Sequence, residues 1–333
     1  MNAQEALARC LKSTATEWGS SRWQEFRACP YGHHLRFVEG VSPRPEALAE
    51  RDTLDYFAVG QAVHGAMAFA ALGALHHFAA DWRVPLAQGV AQGVWPAPEV
   101  EEARRLVWAY MGTYGAANAG YGSDYRIVDV EPDGWEAKLP AGNDTTLPYT
   151  TRPDAVLRRK KTTVLPRGNA GYAYRGRRFV LAEHKTRSRN YGESDEELAL
   201  LFKTRPQFLG HVYVGREKLG EIPDLLVNLL IKTKIPAYRR IIVRFTDEEL
   251  DDWATNHVAS IANRSFSERW KNYSSCYPEI GSKCWAVSWC HGTAAERKTL
   301  YQITRKPSYE PDGEKHDPKK RQAARGQKSV RAR

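Results

Sequence analysis

The sequence predicts a mixed α/β protein, on three observations. Apolar residues recur at helical spacing over much of the first 120 positions. From Tyr125 they fall into short alternating runs broken by Gly, Asp and Pro. Past residue 195, helix and strand patterns alternate. That order argues against a helical bundle and a β-sandwich.

A first segment, 1–58, carries Cys29 in the phrase Trp-Gln-Glu-Phe-Arg-Ala-Cys-Pro-Tyr, and the Cys-Pro pair predicts the end of a short helix. Helical spacing runs over 57–82, with His64 in its early turns, and again over 99–117. Strands are predicted at 126–130, 135–139, 149–157, 163–165 and 178–183. A helix follows over 196–219, with Pro206 disturbing it or starting it afresh. Two further strands, 225–232 and 239–245, lead to a helix over 247–270. Thr246 and Glu249 form a capping-box signature at its start. No internal repeat is visible. The predicted organisation is an N-terminal helical segment 1–58, a core 59–270, a cysteine-rich segment 271–303 and a basic tail 304–333.

The 333 residues are 42% hydrophobic and 26% charged, the balance of a soluble globular protein. The longest apolar-rich stretch, 66–80, is interrupted by His76 and His77, so no spanning helix is expected. With no apolar signal-peptide core at the N-terminus, a cytoplasmic protein without membrane contact is expected. The net charge is +10, and residues 305–333, with ten Lys/Arg and four Asp/Glu, supply +6 of it. A basic, apolar-poor tail is expected to be disordered and suits a polyanion. There is no Walker-type phosphate loop, so nothing points to an ATP-driven motor.

The phrase Val180-Leu-Ala-Glu-His-Lys-Thr186 carries chemistry. Glu183 and Lys185, two apart on a strand, share one face, and the carbonyl of His184 can turn to it as well. A carboxylate and a carbonyl are hard oxygen ligands for Mg²⁺ or Mn²⁺. An ammonium beside them can orient water and stabilise phosphate charge. Alone, Glu-x-Lys reads equally as a solvated strand face. Asp154, a lone acid in an apolar run after Pro153, needs a partner or a cation if buried, and otherwise reads as a turn residue. His64 stands on an apolar helix, where a core histidine is the plainer reading. Gln207 would present an amide from the following helix.

Of five cysteines, Cys276, Cys284 and Cys290 crowd into fifteen residues. Thiolates so clustered suit zinc, with His291 or Cys29 as fourth ligand, or an iron–sulfur centre. Cys10 is left over as a free thiol.

In this order, Gly60-x-x-x-His64, Asp154 in a strand, Glu183-x-Lys185-Thr186 and Gln207 resemble the motifs of the RecB-like branch of the PD-(D/E)XK nucleases, over about residues 21–291. The resemblance implies a restriction-endonuclease-like α/β core with a mixed central sheet flanked by helices. It implies His64, Asp154, Glu183 and the His184 carbonyl as ligands of Mg²⁺ or Mn²⁺, Lys185 as the catalytic lysine, and Gln207 as the motif glutamine. The chain departs from the pattern with Thr151-Arg152-Pro153 where a glycine commonly precedes the aspartate. It departs again with His211 where a tyrosine commonly follows the glutamine, Tyr213 lying two further on. Iron–sulfur members of that branch resemble this chain in having one cysteine before the core and three after it. The resemblance therefore implies a [4Fe–4S] cluster on Cys29, Cys276, Cys284 and Cys290 that joins the two ends. The interval of seven residues between Cys276 and Cys284 is longer than the usual two.

The function expected is that of a metal-dependent DNA nuclease, an exonuclease, in recombination, repair or processing. DNA single strands or duplex ends are the expected partners, with a helicase, recombinase or annealing protein supplying them. Trp270, Tyr273, Trp285 and Trp289 could stack on single-stranded bases or pack around the cysteines. The alternatives are a catalytically idle nuclease-fold scaffold and a zinc-stabilised nucleic-acid-binding module.

Overall fold

Five strands form one mixed sheet that carries the principal site. The computed structural model describes residues 1–11, 25–26, 29–44, 56–141, 146–160, 164–165, 174–175, 177–187, 192–262, 286, 289–290 and 293–303. The chain divides into two units, Met1–Ser21 with Arg51–Ser260, and Arg22–Glu50 with Ile261–Arg333.

In the first unit the elements run α1 (Ala3–Cys10), α2 (Tyr56–His76), α3 (Arg83–Ala91), α4 (Ala97–Tyr114), β1 (Tyr125–Val130), β2 (Glu136–Pro140), β3 (Thr146–Thr150), β4 (Ala155–Arg159) and β5 (Phe179–Arg187). They continue with α5 (Asp195–Lys203), α6 (Pro206–Leu219), β6 (Asp224–Ile231), β7 (Ala237–Val243) and α7 (Asp247–Ala262). The central sheet has the order β7-β6-β5-β4-β1, with β5 and β6 parallel and the other neighbours antiparallel. β2 and β3 form a separate ribbon, and Val164–Leu165 pairs with Tyr174–Arg175.

Helices cover both faces. Val180 and Ala182 of β5 pack with Ala68, Phe69, Ala71 and Leu72 of α2. Leu181, on the opposite face, lies against Gly215 of α6. The whole of β6 is buried, as an interior strand flanked by helices should be. α2 is apolar on every side, and over Ala58–His76 it is long and apolar enough to cross a membrane, against the expectation from the 66–80 stretch. In the structure it is a core helix, 67% buried. It stops at His76, short of residue 82, because His77 takes the left-handed conformation (φ 58°). α3 then forms separately, and Trp95 lies against Gly65 of α2 and Gly89 of α3, where no Cβ would fit.

Two other predicted elements divide at prolines. The strand expected over 149–157 is interrupted by Thr151–Asp154, with Pro153 unable to donate to a ladder. The helix expected over 196–219 becomes α5 and α6, with Pro206 at the first turn of α6, where its missing N–H is harmless. The capping box of Thr246 and Glu249 is formed. Its helix is described to Ala262, and 263–270 lie outside the described residues.

Cys10, at the end of α1, is buried in the α2 core. Burial, with Glu131 nearby, pushes its thiol up to about 12. The neutral thiol therefore favours the folded state below the ordinary thiol range, and that contribution is lost as the pH rises through about 12. Native protein at pH 8 is expected to leave Cys10 unalkylated by iodoacetamide, with modification only after denaturation, read by peptide mass spectrometry.

In the second unit, Val41–Pro43 pairs antiparallel with Tyr301–Ile303. The Cys29 N–H donates to the Glu25 carbonyl (2.8 Å), and Cys29 then caps Pro30–His33, so the Cys-Pro step closes one turn and starts another. Tyr31, Leu35 and Val41 gather with Ala286, Trp289, Cys290 and Tyr301 in one apolar cluster. Trp289 meets Tyr301 edge-on at 5.5 Å, which is the packing reading of that tryptophan. Trp270, Tyr273, Trp285, Cys276, Cys284, His291 and the basic tail lie outside the described residues.

Candidate active site

Four elements bring the expected site residues together. α2 supplies His64 and the bend before β4 supplies Asp154. β5 supplies Glu183, His184 and Lys185, and α6 supplies Gln207. Strand alternation sends Glu183 and Lys185 toward α6 and the His184 side chain toward α2. Two groups result, joined through consecutive residues of β5.

On the α2 side, Asp154 is the hub. Its Oδ1 lies 2.9 Å from His64 Nδ1. Its Oδ2 accepts the His184 backbone N–H at 2.6 Å and lies 3.1 Å from His184 Nδ1. His184 is buried against Tyr110 and Tyr121, with Asn228 3.5 Å from its other ring nitrogen. Burial opposes ionisation of Asp154, but the His64 and His184 contacts outweigh it and hold the carboxyl well below the usual range. Burial likewise opposes a charge on His64, and Asp154 more than compensates, so the imidazole is held above its ordinary value.

On the α6 side, Glu183 is the hub. Its Oε1 accepts from Lys185 Nζ (2.6 Å) and from Gln207 Nε2 (2.9 Å). Its Oε2 is buried without a hydrogen-bond partner, His211 Nε2 standing 3.6 Å away. Burial and the charge of Asp154 both oppose ionisation of Glu183, and Lys185 with His211 overcomes them. His211 lies 3.2 Å from Gln207 Nε2 and is hydrogen-bonded through its other ring nitrogen to Thr151 Oγ1.

His211 and Thr151 were legible only as departures from a motif. Their signals were the one-turn spacing from Gln207 and the polar residue two before Pro153. Tyr213 faces elsewhere, packed on Trp253 with Arg216 over its ring at 4.8 Å.

Gly210 sets the distance between these elements. A Cβ there would fall 2.2 Å from the hydroxyl of Tyr149, a buried ring held edge-on by Trp253 and His257. Gly210→Ala must push α6 away from β3, moving Gln207 and His211 off Glu183. It is expected to lower stability by about 1–3 kcal/mol in urea denaturation.

Among the described residues, no three His, Cys, Asp or Glu side chains converge on a ready-made ion site. The carboxylates of Asp154 and Glu183 are instead held by His64 and Lys185. Two features nevertheless suit a divalent cation: the partnerless buried Oε2 of Glu183, and the repulsion between two buried carboxylates.

No protein-family model matches the chain, and no curated protein does. Among solved structures, an exonuclease candidate from Eubacterium rectale aligns over 87% of this chain and 96% of its own. Identity is 10% and the TM-score 0.38, a likeness too weak to carry an argument.

Proposed function

We propose that the protein is a Mg²⁺- or Mn²⁺-dependent deoxyribonuclease, acting as an exonuclease on DNA strands or duplex ends. The observation that supports this best is Glu183. It is buried, ionised by Lys185 and His211 against the pull of Asp154, and has one oxygen that accepts no hydrogen bond, His211 Nε2 standing 3.6 Å from it. Such an oxygen, in the field of a second buried carboxylate, is a natural cation ligand.

His64, Asp154, Glu183 and the His184 carbonyl would hold the cation, which would supply an acidified water and neutralise charge on the phosphate. Lys185 would orient the attacking water and offer a positive charge to the phosphate oxygens. Gln207 and His211 keep the Glu183 carboxylate from turning. The hydrolysis forms a bond from the water oxygen to phosphorus and breaks the bond from phosphorus to a deoxyribose oxygen. The products are a phosphate monoester and an alcohol. The alcohol takes up a proton and the attacking water gives one up.

We also propose that Cys29, Cys276, Cys284 and Cys290 bind a [4Fe–4S] cluster. In support, the turn that follows Cys29 shares an apolar cluster with Cys290, and Cys29 Sγ accepts the Gly32 N–H at 3.4 Å, as a thiolate ligand would. Anaerobically purified protein is expected to be brown, with absorbance near 400 nm that is lost in Cys29→Ser. Stoichiometric zinc without that absorbance would refute the cluster.

End-labelled single- and double-stranded DNA incubated with Mg²⁺ or Mn²⁺ tests the nuclease reading. Cleavage should stop on adding EDTA. Absence of cleavage with either metal on every end and strand type would favour an idle scaffold.

A further inference from the structure

The outer face of α4 and the turn between β6 and β7 enclose a cleft of about 700 Å³ that the site above does not use. Its walls carry two indoles. Trp108 is 66% exposed, unusual for so large an apolar side chain. Trp82 stands beside it, ring centres 6.4 Å apart and planes tilted by 59°. Around them are Arg83, Arg104, Arg105 and Lys234, against Glu101 and Glu102.

The acids are engaged within the wall. Glu102 is bonded by Arg105, which also donates to the carbonyls of Thr233 and Lys234 and so fixes the turn to α4. Glu101 lies 3.4 Å from Arg104, in an exposed pair that contributes little attraction of its own. Arg83 is paired with Asp81 on the rim. Each arginine thus faces an acid, and Lys234 is left as the unbalanced charge beside an exposed aromatic face.

The cleft's place in the fold is informative. Lys232, which opens the β6–β7 turn, donates its N–H to the Arg187 carbonyl at 2.7 Å. Arg187 ends β5 two residues beyond Lys185. The cleft therefore adjoins the end of β5, two residues past Lys185, on the α2 side of the sheet, while Glu183 and Lys185 face α6.

We infer that this cleft is a binding subsite for single-stranded nucleic acid. A base stacks on the open face of Trp108, Trp82 closes the inner side, and Arg104 and Lys234 meet the neighbouring phosphates. Stacking needs only a π-face, so the subsite holds a strand regardless of sequence. A protein partner could also value Trp and Arg. The pair of indoles, the exposed guanidiniums and the unbalanced Lys234 favour the strand. The inference rests on the nuclease reading only for identifying the strand as substrate.

The test is fluorescence anisotropy of labelled 20-nucleotide oligomers titrated with full-length protein in EDTA, where no hydrolysis intervenes. Trp108→Ala is expected to weaken binding about ten-fold or more, and Trp108→Phe to keep most of the affinity. Lys234→Ala should lower the salt dependence by about one released ion. Trp108 is exposed, so an unchanged Tm serves as the control for folding.

Wild-type protein that fails to bind single strands, or Trp108→Ala that binds them as wild type does, overturns the subsite. So does an Ala variant whose only change is a lost self-association, which would assign the cleft to a protein contact. Strand binding that depends on Trp108 in a protein that cleaves nothing would keep the subsite and sink the nuclease reading, so the two failures are distinguishable.

Discussion

Lys185→Ala protein should cleave DNA about 10²–10³-fold more slowly than wild type in initial-rate assays, and with a lower urea midpoint, because the buried Glu183 carboxylate loses its nearest cation. The Lys185 side chain is a quarter exposed, so its loss removes charge facing Glu183 more than packing, and the fold should survive it at reduced stability. The chemistry should not. Burial and Asp154 both work against a charge on Glu183, and Lys185 is the first of the groups that restore it. Without the ammonium, the Glu183 carboxyl moves upward, so the variant should also need a higher pH to reach its residual maximum. Gln207→Ala removes a neutral hydrogen bond from the same oxygen and should produce a smaller loss with no such pH displacement. Equal effects for the two variants would show that Lys185 acts only by holding Glu183 in place.

The second large effect is on stability and lies at the opposite end of β5. Asp224, fully buried at the start of β6, accepts from Arg159 at 2.7 Å, and the Arg159 side chain is itself only 4% exposed. The Arg177 N–H also donates to it at 3.3 Å, while Arg244 approaches its other oxygen at 3.4 Å. Asp224→Ala strands a buried guanidinium and is expected to destabilise the protein by about 3–5 kcal/mol, read as a lower denaturation midpoint in urea. Breaking one partner is far worse than having neither. Arg159→Met combined with Asp224→Leu should therefore recover part of the loss. A single variant as stable as wild type would mean that water reaches the pair.

These two sites differ in how far the sequence discloses them. Glu183 and Lys185 were legible because a strand has period two, and Asp154 because an acid beside an apolar run needs an explanation. The proline breaks at 153 and 206 were legible as disturbances, though only the fold decides that Pro206 starts a helix and restores Gln207 to the site. The Arg159–Asp224 pair was invisible. It exists because β5 pairs with β4 on one side and β6 on the other, and no local pattern encodes that three-strand register. The same holds for His211 against Thr151, sixty residues apart and brought together by the close approach that Gly210 permits. Trp108 carried no periodic signal, since an exposed indole on a helix looks in sequence like any core residue.

The ribbon of Val41–Pro43 with Tyr301–Ile303 has a consequence for how the chain reaches its native state. Its register, Val41 opposite Ile303, closes a loop of roughly 260 residues, one of the longest-range contacts a chain of this size can make. During synthesis, the strands and helices of Arg51–Ser260 leave the ribosome before Tyr301–Ile303 and can assemble while the earlier strand still waits for its mate. The strand Val41–Pro43 must therefore stay unpaired until Tyr301–Ile303 has been made. The ribbon can form only after the residues between its strands have been made, and that interval is when the early-made Cys29 thiol is most open to oxidation or to premature capture.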